Sequence, residues 1–206
     1  MEKMFKRVGV IGRFRPLHIG SANMLDALCE CSEHVIIGIG SANRYNVRSS
    51  FTTEETKEMI DLYLSNRFSN YEIISIDDFG HLPEFRDGQR WREEILNKYG
   101  TLDMFVAGNA YVLNLLKEWY KTTHPSTLVP PEKRVPISGT MTRIEMAKAG
   151  NWEQYVPLAV AAYLKEKGLV ERFRKEFGLQ TLMLLAEEKY PRRETLEEER
   201  AHISEE

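Results

Sequence analysis

Gly12-Arg13-Phe14-Arg15-Pro16-Leu17-His18-Ile19-Gly20-Ser21 gathers two cations, an imidazole, a hydroxyl and two glycines into ten residues. Fixed positive charge, hydrogen-bond donors and unhindered backbone N–H groups in one place suit an anion with several oxygens, which is a phosphate. The flanks show how the set would be held. Val8 to Ile11 is an apolar run that stops at Gly12, and Ala22, Leu25, Leu28 and Cys29 follow at helical spacing, so the stretch reads as strand, tight loop and helix. The N-terminus of that helix adds free N–H groups and the positive end of the helix dipole.

The rest of the chain repeats the pattern. Val35 to Ile39 is apolar on both faces, as a buried parallel strand should be. A Gly-, Ser-, Asn- and Arg-rich loop (40 to 50) leads to a helix capped by Thr52 or Thr53, with Met59, Ile60, Tyr63 and Leu64 as its apolar stripe. Tyr71 to Ile76 is a third strand, and Asp77 to Gln89 a charged loop of about a dozen residues, the length at which loops are usually functional. Trp91, Ile95, Leu96 and Tyr99 mark a helix, and Leu102 to Ala107 a fourth strand ending in Gly108-Asn109. The next helix carries Tyr111, Val112, Leu115, Leu116 and Trp119 on one face. Prolines 125, 130, 131 and 136 make 121 to 139 a connection with at most one short strand, over Ser126 to Val129. Thr140 opens a helix that closes near Gly150, and Tyr155, Leu158, Ala159, Ala162 and Tyr163 form another. Alternating strands and helices predict an α/β, Rossmann-like, doubly wound parallel sheet with helices on both faces and ligands at the carboxyl ends of the strands. The expected division is a main domain (1–168), a C-terminal helical extension (169–189) and a charged, disordered tail (190–206).

Composition narrows the function. A chain of 206 residues can bury one full core, and a net charge of −3 argues against a nucleic-acid carrier while leaving the local cluster Arg13, Arg15, Arg44 and Arg48 for small phosphorylated ligands. No apolar run reaches the roughly 20 residues of a membrane span, and MEKMFKR leads straight into a strand, so a soluble, cytoplasmic protein is expected. Cys29 and Cys31 lie two apart on a helix and face different ways; they read as inert thiols, and no metal-ligand set accompanies them.

GRFRPLHIGS resembles the GRFxPxHxGH signature of the HxGH nucleotidyltransferases, in particular the archaeal-type nicotinamide-nucleotide adenylyltransferases. GIGSAN (38 to 43), FTTEETKEMI (51 to 60) and ISGTMTR (137 to 143) resemble further motifs of that family, in its order: a second-strand loop, a PFTxxER-type helix start and an SGTxxR phosphate motif. Short motifs recur by chance singly; four in order across residues 8 to about 165 do not. The resemblance implies transfer of AMP from ATP to nicotinamide mononucleotide, releasing pyrophosphate, with Mg²⁺ accompanying ATP. By position it assigns phosphate contacts to His18, Arg13, Arg48 and Arg143, and places Ser21 beside them. Gly12, Phe14, Arg15, Gly20, Gly40, Asn109, Ser138 and Thr140 would line the nucleotide cleft, and Trp91 would stack on the nicotinamide ring. A homo-oligomer is expected, with no nucleic-acid or membrane partner.

Three positions depart from the pattern. HxGH ends in Ser21 rather than His, Arg15 stands where Gln is frequent, and Thr56 stands for the Arg of PFTxxER. A neutral, shorter hydroxyl replaces a chargeable donor at Ser21, and Arg15 is the candidate replacement cation. Each assignment has a plainer competitor. Trp91 shares a helix face with Ile95 and reads equally as core; Arg13 and Arg48 read as surface charges outside the motif context. Arg143 in a first helical turn opposes the dipole, which favours a phosphate contact. Asp77 and Asp78 read as solvated loop carboxylates, and His34, His81, His124 and His202 as surface or structural histidines. Two other functions stay open: a related transferase using ATP or CTP with another phosphorylated acceptor, such as a phosphopantetheine or a sugar or polyol phosphate, and a nucleotide-binding regulator that has lost turnover.

Overall fold

The computed structural model describes residues 3–189. Its strands are β1 (Phe5–Gly12), β2 (Ser32–Ile39), β3 (Tyr71–Ser75), β4 (Met104–Ala107) and β5 (Thr122–Thr123). They pair in parallel in the order β3-β2-β1-β4-β5, with Val8 beside Val35 on one side and Met104 on the other. This is the doubly wound α/β fold. Both faces are covered, which is why β2 carries no polar alternation: Val35, Ile37 and Ile39 join one core, and Ile36 joins the other with Phe105 and Tyr99. Tyr99 lies flat across the sheet and donates to the Val10 carbonyl at 2.9 Å. That approach requires glycine at position 9, where a Cβ would stand 2.7 Å from the Tyr99 ring.

The helices are α1 (Ile19–Cys31), α2 (Thr53–Leu64), α3 (Gln89–Tyr99), α4 (Ala110–Leu116), α5 (Gly139–Ala147), α6 (Leu158–Glu166), α7 (Leu169–Phe173) and α8 (Leu179–Lys189). Thr52 and Glu55 form a reciprocal capping box at the start of α2, while Ser138 caps α5. Three expectations need correction. The strand expected over Ser126 to Val129 is instead Thr122–Thr123, because Pro125 cannot donate to a ladder and turns the chain into a 3₁₀ turn, Pro125–Thr127. The face expected on the fourth helix is not buried as a unit: α4 ends at Leu116, which is buried, while Tyr111 and Trp119 are 58% and 46% exposed. In α6 the buried residues are Val160, Ala161, Tyr163 and Leu164, and Leu158 is exposed.

Residues after Gly168 continue the same core. Leu169, Val170 and Phe173 are buried, with the Phe173 ring stacked on Phe51 at 6.1 Å. A π-helical stretch, Arg174–Gly178, joins α7 to α8. Arg172 forms a two-pronged ion pair with Glu55, and the Tyr45 hydroxyl donates to Glu176, so this region fastens both the 41–50 loop and the start of α2. The charged tail expected over 190–206 lies outside the described residues. No helix among the described residues is long and apolar enough to cross a membrane.

Candidate active site

Order reverses between β1 and β4, and at that switch point the loops leaving the carboxyl ends of the strands separate to form a crevice. The Gly40 N–H donates to the Gly12 carbonyl at 2.9 Å and ties the ends of β1 and β2 together. The next residues turn sharply: Phe14 and Ser41 both have left-handed backbones, φ 54° and 53°, a conformation that costs a non-glycine residue of order 1–3 kcal/mol and collects at functional sites. Phe14 is held there by its ring, which is buried in the main core beneath Gly12.

Two clefts meet at Arg13. One, of about 540 Å³, is lined by Arg13, His18, Gly20, Ser21, Ser138, Gly139, Thr140 and Arg143. Helices α1 and α5 both begin in its wall. No Asp or Glu lines it among the described residues. Arg48 and Arg143 face a neighbouring recess of about 510 Å³ that also holds Arg13 and is closed by Thr181, Leu184 and Leu185 of α8. None of these three arginines forms an ion pair among the described residues. Burial and then the charges of Arg13 and Arg48 lower the Arg143 pKa to about 10. Arg13 is lowered by burial and by Arg48, with Asp78 acting the other way. Arg13 and Arg143, each disfavoured in its charged form by burial and by neighbouring positive charge, are placed to gain from a ligand of negative charge.

His18 is the N-cap of α1. Its Nδ1 accepts the Ser21 N–H at 3.3 Å, so the neutral ring carries its proton on Nε2, which donates to the Ser21 Oγ at 2.7 Å. Burial, followed by the Arg143 charge, lowers the His18 pKa to about 4 and keeps it neutral near pH 7. The Ser21 hydroxyl is thereby free to donate onward. Glycine suits position 20, where a Cβ would stand 3.0 Å from the Ile137 carbonyl, tighter than an ordinary contact.

The Arg15 guanidinium turns to the second loop. Arg15 is 1% exposed, and its guanidinium donates to the Ser41 and Arg44 carbonyls at 3.0 and 3.3 Å and to the Thr53 Oγ1 at 3.0 Å. These bonds fasten the 41–44 loop to α2, and Arg15 also lines the cleft that holds His18 and Ser21. Arg143 in turn donates to the Arg15 carbonyl at 2.8 Å and to the Thr140 Oγ1 at 3.3 Å. Through these bonds the first loop, the second loop and α5 form one frame.

The second cleft, of about 440 Å³, is lined by Gly12, Arg13, Gly40, Asp78, Arg86, Trp91, Asn109 and Tyr111 among others. Trp91 is half-buried and touches both this cleft and the second core. Asn109 caps α4 by accepting the Tyr111 N–H at 2.9 Å. Asp78, read from sequence as a solvated carboxylate, accepts the Ser41 hydroxyl at 3.2 Å. Sequence reasoning missed Tyr111, Arg86 and His124 as lining residues. His124 follows β5 directly and lines the cleft that holds His18; its place at the carboxyl end of a strand is the signal that could have found it.

Among the described residues no group of three or more His, Cys, Asp and Glu could hold a metal ion. A hard divalent cation prefers oxygen ligands, and the first cleft supplies no carboxylate for one, so such an ion fits only as a companion of substrate phosphates.

Residues 10–145 match the model of the cytidylyltransferase-like family. The nicotinamide-nucleotide adenylyltransferase of Pyrococcus furiosus is 31% identical over 175 residues, covering 82% of this chain and 88% of that protein. That of Methanocorpusculum labreanum is 30% identical over 166 residues, covering 80% and 94%. Among solved structures, a bifunctional NMN adenylyltransferase/ADP ribose pyrophosphatase from Francisella tularensis, complexed with AMP and Mn ion, superposes with a TM-score of 0.61 at 21% identity. The match covers 91% of this chain and 54% of that longer protein, a likeness of fold.

Proposed function

We propose that this chain, which belongs to the cytidylyltransferase-like family, transfers the AMP of ATP to nicotinamide mononucleotide and yields NAD and pyrophosphate. The observation that carries the reading is the pairing of the clefts. A carboxylate-free, arginine-lined cleft adjoins one lined by Trp91 and Tyr111, and Arg13 belongs to both. The relatives in Pyrococcus furiosus and Methanocorpusculum labreanum support the same acceptor.

The reaction needs no protein nucleophile. A phosphate oxygen of the mononucleotide attacks the α-phosphorus of ATP, the bond from that phosphorus to the bridging oxygen breaks, and pyrophosphate leaves with the electron pair. Bringing two anions together and receiving a third is a task for fixed charge and alignment. In this reading Arg143 and Arg48 hold the β and γ phosphates, and Arg13, between the clefts, screens the approaching acceptor from the α-phosphate. His18, neutral and donating to Ser21, orients that hydroxyl so that its own proton points to a phosphate oxygen. The N-termini of α1 and α5 add backbone N–H donors. Trp91 offers its face to the nicotinamide ring. A divalent cation such as Mg²⁺, bound with ATP, would neutralise part of the phosphate charge alongside Arg13, Arg48 and Arg143.

Pyrophosphate release, measured with ATP or CTP against nicotinamide mononucleotide, phosphopantetheine and sugar or polyol phosphates, tests the reading. Turnover confined to ATP with the nicotinamide acceptor is expected. Faster turnover with another acceptor would reassign the second cleft. Tight ATP binding with no turnover on any acceptor would make the protein a nucleotide-binding regulator.

A further inference from the structure

His18 and His124 are built alike up to a point. Each begins a turn, and each uses Nδ1 to accept a backbone N–H from a following serine: Ser21 at 3.3 Å for His18, and Ser126 at 3.2 Å for His124. In the neutral form of either ring, a backbone N–H donated to Nδ1 places the proton on Nε2. They differ in where that proton goes. The Nε2 of His18 is committed to the Ser21 hydroxyl at 2.7 Å. That of His124 makes no hydrogen bond among the described residues, since the Ser126 hydroxyl also turns to Nδ1, at 2.8 Å. The backbone behind it is fixed as well, because the Thr127 hydroxyl donates to the His124 carbonyl at 2.9 Å. His124 lines the cleft that holds His18, Ser21, Thr140 and Arg143.

We propose that His124 is a further catalytic residue of this site, its Nε2–H donating to a phosphate oxygen that gains charge as pyrophosphate leaves. The proposal rests on the adenylyl-transfer reading for the step and on the cleft alone for the contact. Geometry recommends it. His124 is an exposed side chain on the cleft wall, and a ring held at Nδ1 by two bonds to Ser126 loses little freedom when its remaining donor meets a phosphate there. It approaches from the wall that follows β5, whereas Ser21 approaches from α1, so the two donors reach the phosphates from different sides. No covalent bond to His124 forms or breaks; it lends a hydrogen bond and keeps its proton.

Two measurements on the full chain decide it. His124→Ala should lower kcat about 10- to 100-fold while the KM for ATP changes less than about threefold, as for a contact strengthened in the transition state. His124→Gln, whose amide can reproduce a donor in that region, should recover most of the loss. Independently of turnover, the His124 ring resonances, assigned by their disappearance in His124→Gln, should move when ATP or inorganic tripolyphosphate is added. A ring unmoved by either anion, or a kcat within twofold of the unmodified protein in His124→Ala, overturns the proposal. A ring that responds to both anions while no nucleotide pair turns over would support the phosphate contact and overturn the adenylyl-transfer reading instead.

Discussion

The two clefts that meet at Arg13 are built by different means. The first is made of backbone and charge: two helix starts, Gly20 pressed against the Ile137 carbonyl, and arginines without carboxylate partners among the described residues. The second is made of shape, a recess between the 77–89 loop, Trp91 and Tyr111, with Asp78 and Arg86 at its edge. A phosphate presents the same oxygens whatever nucleoside carries it, so a few residues at fixed spacing suffice to bind it. An aromatic base needs a platform and a rim, which different proteins assemble from different segments. The first cleft thus speaks to reaction class and the second to acceptor identity, and damage to one should be separable from damage to the other.

Arg143→Ala is expected to have the largest effect. Arg143 faces the arginine recess and also braces the Arg15 carbonyl, so its loss should reduce kcat/KM for ATP by about 10²- to 10³-fold. ATP binding followed by calorimetry at low and high salt should also become less salt-dependent, since one charged contact is gone. Arg143→Lys restores charge without the two-pronged guanidinium geometry and should recover only part of the loss. Loss of acceptor affinity with ATP affinity intact would reverse the assignment of the clefts.

The second effect is on stability. The pKa of His18 falls from 6.5 to about 4 on folding, because burial and then Arg143 disfavour its charged form. The unfolded chain therefore binds more protons than the native one between those values, and stability rises with pH there. Acidification from pH 7 to pH 5 should cost about 2 kcal/mol from this residue, a loss complete only below about pH 4. Urea midpoints at the two pH values measure it. His18→Gln should remove that share of the slope; an unchanged slope would assign the acid sensitivity to other groups.

Trp91→Ala comes third. A stacking face is worth about 1–3 kcal/mol per base, so the KM for the nicotinamide acceptor should rise about tenfold or more while ATP binding is spared. Because Trp91 also packs against the second core, Trp91→Phe is the control that keeps much of the packing. If ATP and acceptor affinities fall together, and melting temperature with them, Trp91 serves the core and the acceptor recess lies elsewhere.

How far the sequence could be read follows the same division. The frame of β1, α1 and β2 was legible from periodicity, Arg13 and His18 from motif spacing in the loop that leaves β1, and Arg143 from the separate motif that opens α5. Arg15 was not legible. Its neighbours in sequence place a cation in the loop, but the Ser41 and Arg44 carbonyls that claim it come from the second βα loop, and only tertiary structure shows that they do. His124 was hidden by a displaced strand. With a strand at Ser126 to Val129 it would precede the sheet and lie away from ligands; with β5 at Thr122–Thr123 it follows the carboxyl end and enters the cleft. A two-residue strand is too short to show an alternating pattern. The helix after Gly168 was legible as a helix, but its union with the main core depends on Phe173 meeting Phe51, which no local pattern announces.

The smallest expected effect bears on the comparison most directly, because it asks whether the phosphate cleft is complete as it stands. Ser21 accepts from the His18 Nε2 at 2.7 Å, and its own proton is free, so the pair presents one neutral donor where two imidazoles would present two. Ser21→His should place a second ring one helical turn from the first, within reach of the same oxygens. The added donor would strengthen as charge moves to pyrophosphate, so turnover should rise a few fold, roughly two- to fivefold, with ATP affinity changed less. The gain is modest if His124 already supplies a second imidazole, and should grow in the His124→Ala background, where the two substitutions would compensate rather than add. Stopped-time assays of pyrophosphate release on the four proteins of that cycle measure the coupling. Rapid turnover in the unmodified protein that collapses in Ser21→His, whatever stands at position 124, would show instead that the cleft is shaped around the serine hydroxyl and has no room for a second ring on α1.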